Sequence, residues 1–322
     1  MRNHAGSLIV WALTTLFGLS VTTSALGQDT ETFRDQVNRG TVGVISGGVN
    51  GTYIRVTSDL SAVLDSEDLR VLSILGKGSV QNIADLLYLR GIDVAVVQSD
   101  VLEFMRRQGT YPFIERHIQY ITKLYNEEFH VLVRDEVGSI QDLAGKKVNF
   151  DSRGSGTAMT ASLVFDTLGV DVESTHFDQA SALDKLLSRE ISGLVYVAGQ
   201  PVQLFEALGQ DAPVKFLSID YTPELMATYL PASLSPESYP NLINDGEAVS
   251  TIAVGAVMAA YNWDPQHHRY AKVARFVERF FSNFEQFQST ARHPKWREVS
   301  LSANVPGWTR FGPAQAWLGA HN

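Results

Sequence analysis

The stretch V-G-V-I-S-G-G-V-N-G-T-Y, Val42 to Tyr53, decides how this chain is read. A short β-branched run ends in three close glycines, Gly47, Gly48 and Gly51, and a helical pattern follows. That is a strand, a turn and a helix N-terminus. The unpaired backbone N–H groups of a helix's first turn, together with its dipole, favour an anion beside them, and glycine lets a ligand approach the backbone closely. Two readings follow from the stretch by itself: a site for a small anionic ligand, or glycines that only make a tight turn. The dinucleotide spacing G-x-G-x-x-G is absent.

Outward from this stretch the alternation of strand and helix continues. Thr41 to Ile45 reads as a strand, and Tyr53, Val56, Leu60, Val63 and Leu64 fall on one helix face. Leu69 to Leu75 is a second strand, G-K-G turns the chain, and Ser79 is placed to cap a helix carrying Ile83, Leu86 and Leu87. Asp93 to Val97 is a third strand, apolar enough for a parallel strand buried on both faces. Together these make a βαβαβ unit.

A second unit of the same kind begins with the strand Phe129 to Val133. Lys147 to Phe150 is a strand, D-S-R-G-S-G a turn, and Thr157 to Leu168 a helix. Asp184 to Arg189 closes another helix, Leu194 to Ala198 is a strand, Pro201 suits the first turn of the next helix, and Val214 to Leu217 is a short strand. Pro231 to Gly246 reads as a crossing loop. Ser250 to Met258 is then strand-like, and Tyr270 to Phe287 a long helix whose phenylalanines form a buried face.

Composition bounds the function. The N-terminus has Arg2, an apolar run from Leu8 to Val21, and small and polar residues from Thr22 to Gly27. This is the layout of a cleaved signal peptide over residues 1–27, and the run is shorter than the ~20 residues of a membrane span. A retained anchor is the alternative. The absence of cysteine excludes disulfides, thiolate metal ligands and a lipid-modified cysteine. A formal net charge of -9 argues against a nucleic-acid partner. It leaves room for a small anionic ligand, because local dipoles and one arginine can outweigh a diffuse charge.

The candidate chemistry lies in two glycine-rich turns, S-G-G-V-N-G-T-Y at 46–53 and R-G-S-G-T at 153–157, one in each half. If the halves face each other, two helix N-termini point into one cleft. A carboxylate there can accept backbone N–H bonds from turns that contain Gly48, Asn50, Gly51, Tyr53 and Gly156, and the hydroxyls of Thr52, Ser155 and Thr157 add to them. Each charge-assisted bond contributes about 1.5–3 kcal/mol. Arg153 either pairs with a ligand carboxylate in bidentate fashion or is a solvated turn residue. Gln98 and Ser99 end a strand at the sheet edge where open α/β sheets bind ligands, and Asp100 is placed to cap the next helix. No H-x-x-x-H, G-x-S-x-G or phosphate-loop spacing occurs, so neither a metal, a cofactor nor a catalytic residue is expected.

With these residues in hand, the chain resembles the TAXI-type extracytoplasmic solute receptors of TRAP transporters. S-G-G-V-N-G-T-Y, G-K-G-S-V-Q-N-I, D-V-A-V-V-Q-S-D, F-H-V-L-V-R, G-S-G-T, V-A-G-Q-P and T-I-A-V-G-A-V follow in that family's order from about Thr41 to about Tyr261. The resemblance implies a periplasmic binding protein of type II, with two α/β domains joined by crossing strands and a ligand cleft between them. Domain I would comprise residues 41–125 with 250–322, and domain II residues 126–249. It further implies capture of a small carboxylate or amino acid and delivery to TRAP membrane subunits. Thr52, Tyr53, Ser79, Gln98, Ser99, Ser155, Gly156, Thr157 and Gln200 would face the ligand. The chain departs from the family at Ser46, at Tyr53-Ile54 where tyrosines are paired, and at Arg153. A sensing module that signals to a membrane partner such as a histidine kinase is the alternative function.

Overall fold

The computed structural model describes residues 38–321 apart from Thr110 and Ala227, so the leader expected over residues 1–27 lies outside the described residues. The first unit is β1 (Thr41–Ile45), α1 (Thr52–Leu64), β2 (Arg70–Ile74), α2 (Ser79–Tyr88) and β3 (Val94–Gln98). Two short helices, α3 (Val101–Arg107) and α4 (Ile114–His117), lead into β4 (Ile118–Arg134), a strand of 17 residues. The second unit is β5 (Lys147–Asn149), α5 (Gly156–Thr167), β6 (Glu173–Thr175), α6 (Gln179–Leu187) and β7 (Gly193–Ala198). After it come α7 (Gln203–Glu206), β8 (Val214–Phe216), α8 (Pro223–Met226), β9 (Leu230–Leu234) and β10 (Val249–Tyr261). Helices α9 (His268–Ser282) and α10 (Gly312–His321) follow.

All ten strands belong to one mixed sheet, ordered β2-β1-β3-β10-β4-β7-β5-β6, with β8 beside β4 and β9 beside β10. The trio β2-β1-β3 is parallel, and so is the trio β6-β5-β7. Each trio meets an antiparallel strand, β10 on one side and β4 on the other. This repeated order is that of an α/β, type II periplasmic-binding-protein-like fold. Strands β4 and β10 pair with each other and run through both halves.

Each half is a sheet covered on both faces. On one face of the first trio, Val56 and Leu60 of α1 pack with Phe276 and Phe280 of α9; on the other, Ile83 and Leu86 of α2 pack with Val101 and Met105 of α3. In the second half, Val164 and Phe165 of α5 cover one face, and Leu183, Leu186 and Phe205 the other. Helix α9 is tied to the first half by charge as well. Asp93, fully buried, receives Arg269 at 2.8 Å and Lys272 at 2.7 Å.

Four sequence readings need correction. Strand β4 starts at Ile118, well before Phe129; Lys123, Glu127 and Glu128 disguise it, because charged residues rarely sit inside a strand without a partner. The crossing loop contains β9, and Pro231 is tolerated there because β9 pairs with β10 alone and needs no second partner for the missing N–H. The long helix breaks at Asn283, and a 3-10 turn over Phe284–Gln288 carries Phe287 into the core. Pro201 does not open α7. The Val202 N–H is held in extended backbone by the Tyr239 hydroxyl at 3.0 Å, and the helix begins only at Gln203.

Where β4 passes from the first half to the second, Glu128 is buried and accepts from Lys295 Nζ at 2.5 Å and from the Gln200 N–H at 2.8 Å. Lys295 also reaches Glu298 at 2.8 Å. Removing one member of a buried pair leaves an uncompensated charge, at a cost of about 3–5 kcal/mol. Burial already holds the Glu128 carboxyl above its ordinary range, against the attraction of Lys295. Lys295→Met is therefore expected to lower urea-unfolding stability by about 3–5 kcal/mol at pH 8, and by progressively less as the pH is lowered and Glu128 takes up a proton.

Candidate ligand-binding site

The strand-to-helix turns of both units open on one cavity of about 180 Å³. Its walls include Gly47 to Tyr53 and Gly76 to Ser79 from the first half, and Asp151, Ser152, Ser155 to Thr157, Asp178, Gln179 and Tyr196 to Ala198 from the second. Gln98 and Glu127 also line it. Four helices begin here: α1 after Gly51, α2 after Gly78, α5 after Ser155 and α6 after Asp178. The first two have glycine at the cap and no side chain bonded to their first-turn N–H groups. Apart from the Gln81 N–H, which Gly154 O takes, those N–H groups and the helix dipoles suit the oxygens of an anion.

Glycine is required at two of these positions. A Cβ on Gly156 would lie 1.6 Å from Gln98 Oε1 and 2.6 Å from Ser79 Oγ, so the second half approaches the first only because this residue has no side chain. Gly78 adopts a φ of +111°, which turns the chain sharply into α2. The two halves are also bonded directly. Thr52 Oγ1 donates to Gly199 O at 2.6 Å, the Gln81 N–H to Gly154 O at 3.1 Å, and Gln98 Nε2 to Thr160 Oγ1 at 3.3 Å.

Of the residues expected from sequence, Gly48, Asn50, Gly51, Thr52, Tyr53, Ser79, Gln98, Ser155, Gly156 and Thr157 come together around the cavity. Ser99, Arg153 and Gln200 do not. Ser99 turns to the tail, its carbonyl accepting from Trp308 Nε1 at 2.9 Å. Gln200 clips β9, donating to Ser233 O at 2.9 Å and accepting from the Ser235 N–H at 3.2 Å. Arg153 is exposed, because positive φ angles at Asp151 and Gly154 send Ser152 and Ser155 toward the cavity and the arginine away from it.

Several hydroxyls expected to bind a ligand already have work within the protein. Ser155 caps α5 by accepting from the Ala158 N–H at 3.0 Å, and Thr157 Oγ1 accepts from the Val197 N–H at 3.1 Å. Ser79 does not cap α2. Its hydroxyl holds Gln98, accepting from the backbone N–H at 2.8 Å and donating to Oε1 at 3.0 Å. Asp100 stands at the start of α3 without a side-chain capping bond, and its Oδ2 accepts from Thr160 at 3.3 Å instead.

Sequence reasoning passed over Lys77, Glu127, Asp151, Asp178, Gln179 and Tyr196 as ligand contacts. The paired Glu127-Glu128 inside a strand was the available signal, since buried carboxyls need a stated reason. Glu127 is 2% exposed and accepts from the Tyr53 hydroxyl at 2.6 Å. Burial raises its carboxyl well above the ordinary range against the Tyr53 bond, and burial beside Glu127 raises the Tyr53 phenol in turn. Tyr196 is fixed from behind by His130, whose Nδ1 faces the Tyr196 and Glu128 carbonyls at 3.1 and 2.9 Å. Burial pushes His130 down to about 4, so it is neutral, and its Nε2 lies 2.7 Å from the Tyr239 hydroxyl.

The family model described as the NMT1-like family matches residues 44–306. Among solved structures the chain is similar to the alkanesulfonate-binding protein SsuA from Xanthomonas axonopodis pv. citri bound to MOPS. That match has 13% identity over 87% of this chain and 82% of the other, with a TM-score of 0.49. It is similar also to the periplasmic binding protein BugD, at 13% identity, 80% and 87% coverage and a TM-score of 0.49. An ancestral arginine-binding protein bound to arginine matches at 15% identity, 80% and 97% coverage and 0.48. Likenesses at this level say nothing about the ligand.

Burial pushes the Asp151 carboxyl up to about 6, opposed by bonds from the Ser152 N–H and Ser155 and aided by Asp178. In the unfolded chain an aspartate titrates near ~3.9. Between these values the folded protein holds a proton that the unfolded chain has lost, so stability falls as pH rises through that window. Asp151→Asn, which also tolerates the positive φ, is expected to raise the melting temperature above wild type at pH 7 and to match it at pH 3.5, measured by calorimetry.

Proposed function

The chain belongs to the NMT1-like family, and from that premise we propose that it is an exported solute receptor that captures a small carboxylate-bearing molecule or amino acid. One observation carries this reading: four helix N-termini, two from each unit, open on a single cavity of about 180 Å³. Residues 41–125 with 250–322 act as one lobe and residues 126–249 as the other. The ligand contacts are drawn from Gly48, Asn50, Gly51, Thr52, Tyr53, Ser79, Gln98, Ser155, Gly156 and Thr157.

Capture works by closure of the lobes. A ligand bonded to both sets of N–H groups favours the form in which they meet, and shifts the population by its differential affinity for that form. Thr52 with Gly199, Gln81 with Gly154, and Gln98 with Thr160 are the contacts that closure makes. The ordered motifs of TAXI-type receptors support the finer reading, delivery of the solute in the periplasm to the membrane subunits of a TRAP transporter. No helix among the described residues is long and apolar enough to cross a membrane. The reading is of binding without turnover.

Thermal-shift screening of amino acids and small mono- and dicarboxylates tests this. A true ligand at 100 times its Kd adds about 2.7 kcal/mol of stability, whereas no shift with any compound of these classes counts against the proposal. Gly156→Ala is expected to weaken that ligand at least about tenfold and to leave a wider molecule in small-angle scattering with ligand present, because the added methyl meets Gln98 and Ser79. An unchanged affinity would show that closure through Gly156 is not needed.

A further inference from the structure

We propose that the ligand of this cavity carries a cationic nitrogen as well as a carboxylate, and that Glu127 is the residue that selects for it. The inference rests on the capture reading above and names the ligand class within it.

Glu127 is 2% exposed, on β4 where that strand passes between the halves. Its Oε2 accepts from Tyr53, no hydrogen bond to Oε1 is formed among the described residues, and Glu127 lines the cavity. The titratable groups around it are Tyr53 on α1, Tyr125 and Glu128 on β4, Asp100 after β3, Tyr196 on β7 and Lys295 in the tail. Five of these are acids, none of which can carry a positive charge, and the sixth, Lys295, is bonded to Glu128 and Glu298. Glu127 is therefore a buried carboxyl with no counter-charge of its own. Buried carboxyls in that position either keep a proton or acquire a cation from outside.

The rest of the lining decides between the two. Glu127, Asp151 and Asp178 face the cavity, against Lys77, which is exposed at its edge. That excess of acid repels a dianion, while the uncapped N-termini of α1 and α2 accommodate one carboxylate. A zwitterion matches both features, with its carboxylate at the helix N-termini and its ammonium against Glu127 Oε1. On binding, the proton held on Glu127 leaves to solvent and the ammonium takes its place, so no charge is left buried without its opposite.

The test uses the full mature protein and paired compounds that differ only in the amino group: L-glutamate and glutarate, L-leucine and 4-methylpentanoate, L-phenylalanine and 3-phenylpropanoate. Titration calorimetry is run in two buffers of different ionisation heat. The expected result is binding of an amino member with its partner at least about tenfold weaker, release of about one proton at pH 7, and affinity rising with pH. Glu127→Gln, which can still accept from Tyr53, should reduce the amino member's affinity at least about tenfold and abolish the proton release. Equal binding of the des-amino member, proton uptake, or a Glu127→Gln protein that folds and binds unchanged overturns the inference while leaving the capture reading intact. Failure of every compound to bind overturns both.

Discussion

The antiparallel pairing of β4 with β10 is the constraint on which the rest of the structure depends. These strands of 17 and 13 residues pair from Ile118–Tyr261 at one end to Glu128–Ala253 at the other. One end of the pair abuts β3 and the other abuts β7. Each parallel trio is thereby joined to the other through continuous backbone hydrogen bonding. The register slips between Gly255 and Val257, close to where β4 passes Glu127 and Glu128. Bulges bend and twist a strand pair locally, so the ladder that joins the two trios is distorted close to where it passes from one to the other.

Glu127 and Glu128 are adjacent on this strand and point to opposite sides, as alternation along a strand requires. Glu128 meets Lys295, which comes from the 3-10 turn Pro294–Glu298 far along the chain. The same turn is fixed to α1, because Asp59 accepts from Trp296 Nε1 at 2.9 Å and from the His293 N–H at 3.0 Å. The tail thus spans the base of α1 and the crossing strand, behind the cavity. It holds the first-half helix whose N-terminus lines the site, and it keeps Lys295 engaged with Glu128 and Glu298.

The cavity sets two kinds of electrostatics against each other. Helix N-termini supply partial positive charge without any titrating group, and carboxyls from β4, the β5–α5 turn and the α6 cap supply the opposite sign. Asp178 is held below its ordinary range by the Ser181 N–H and hydroxyl, while Asp151 beside it is held above. Acids in one lining therefore lose their protons at different pH, according to how many N–H and O–H groups reach them and how deeply they are buried. A lining of this kind distinguishes ligands by the placement of charge more than by size.

The sequence by itself determined the two βαβαβ units, the burial of β1 and β3, the phenylalanine face of α9 and ten of the residues that line the cavity. These follow from local periodicity and from glycines at strand-to-helix turns, which are properties of neighbouring residues. It also pointed to both halves of a paired site. Only the tertiary structure decided which turns oppose each other: Gly76–Ser79 meets Gly154–Gly156, while Gly51 and Thr52 meet Tyr196 and Gly199. It moved Arg153 to the surface, committed Ser79 to Gln98, and put Glu127 on the cavity wall. The reason is that a side chain's direction and its partner depend on residues distant in the chain. A carboxyl hidden in a strand shows its role only when the fold brings Tyr53 to one side of it and the cavity to the other.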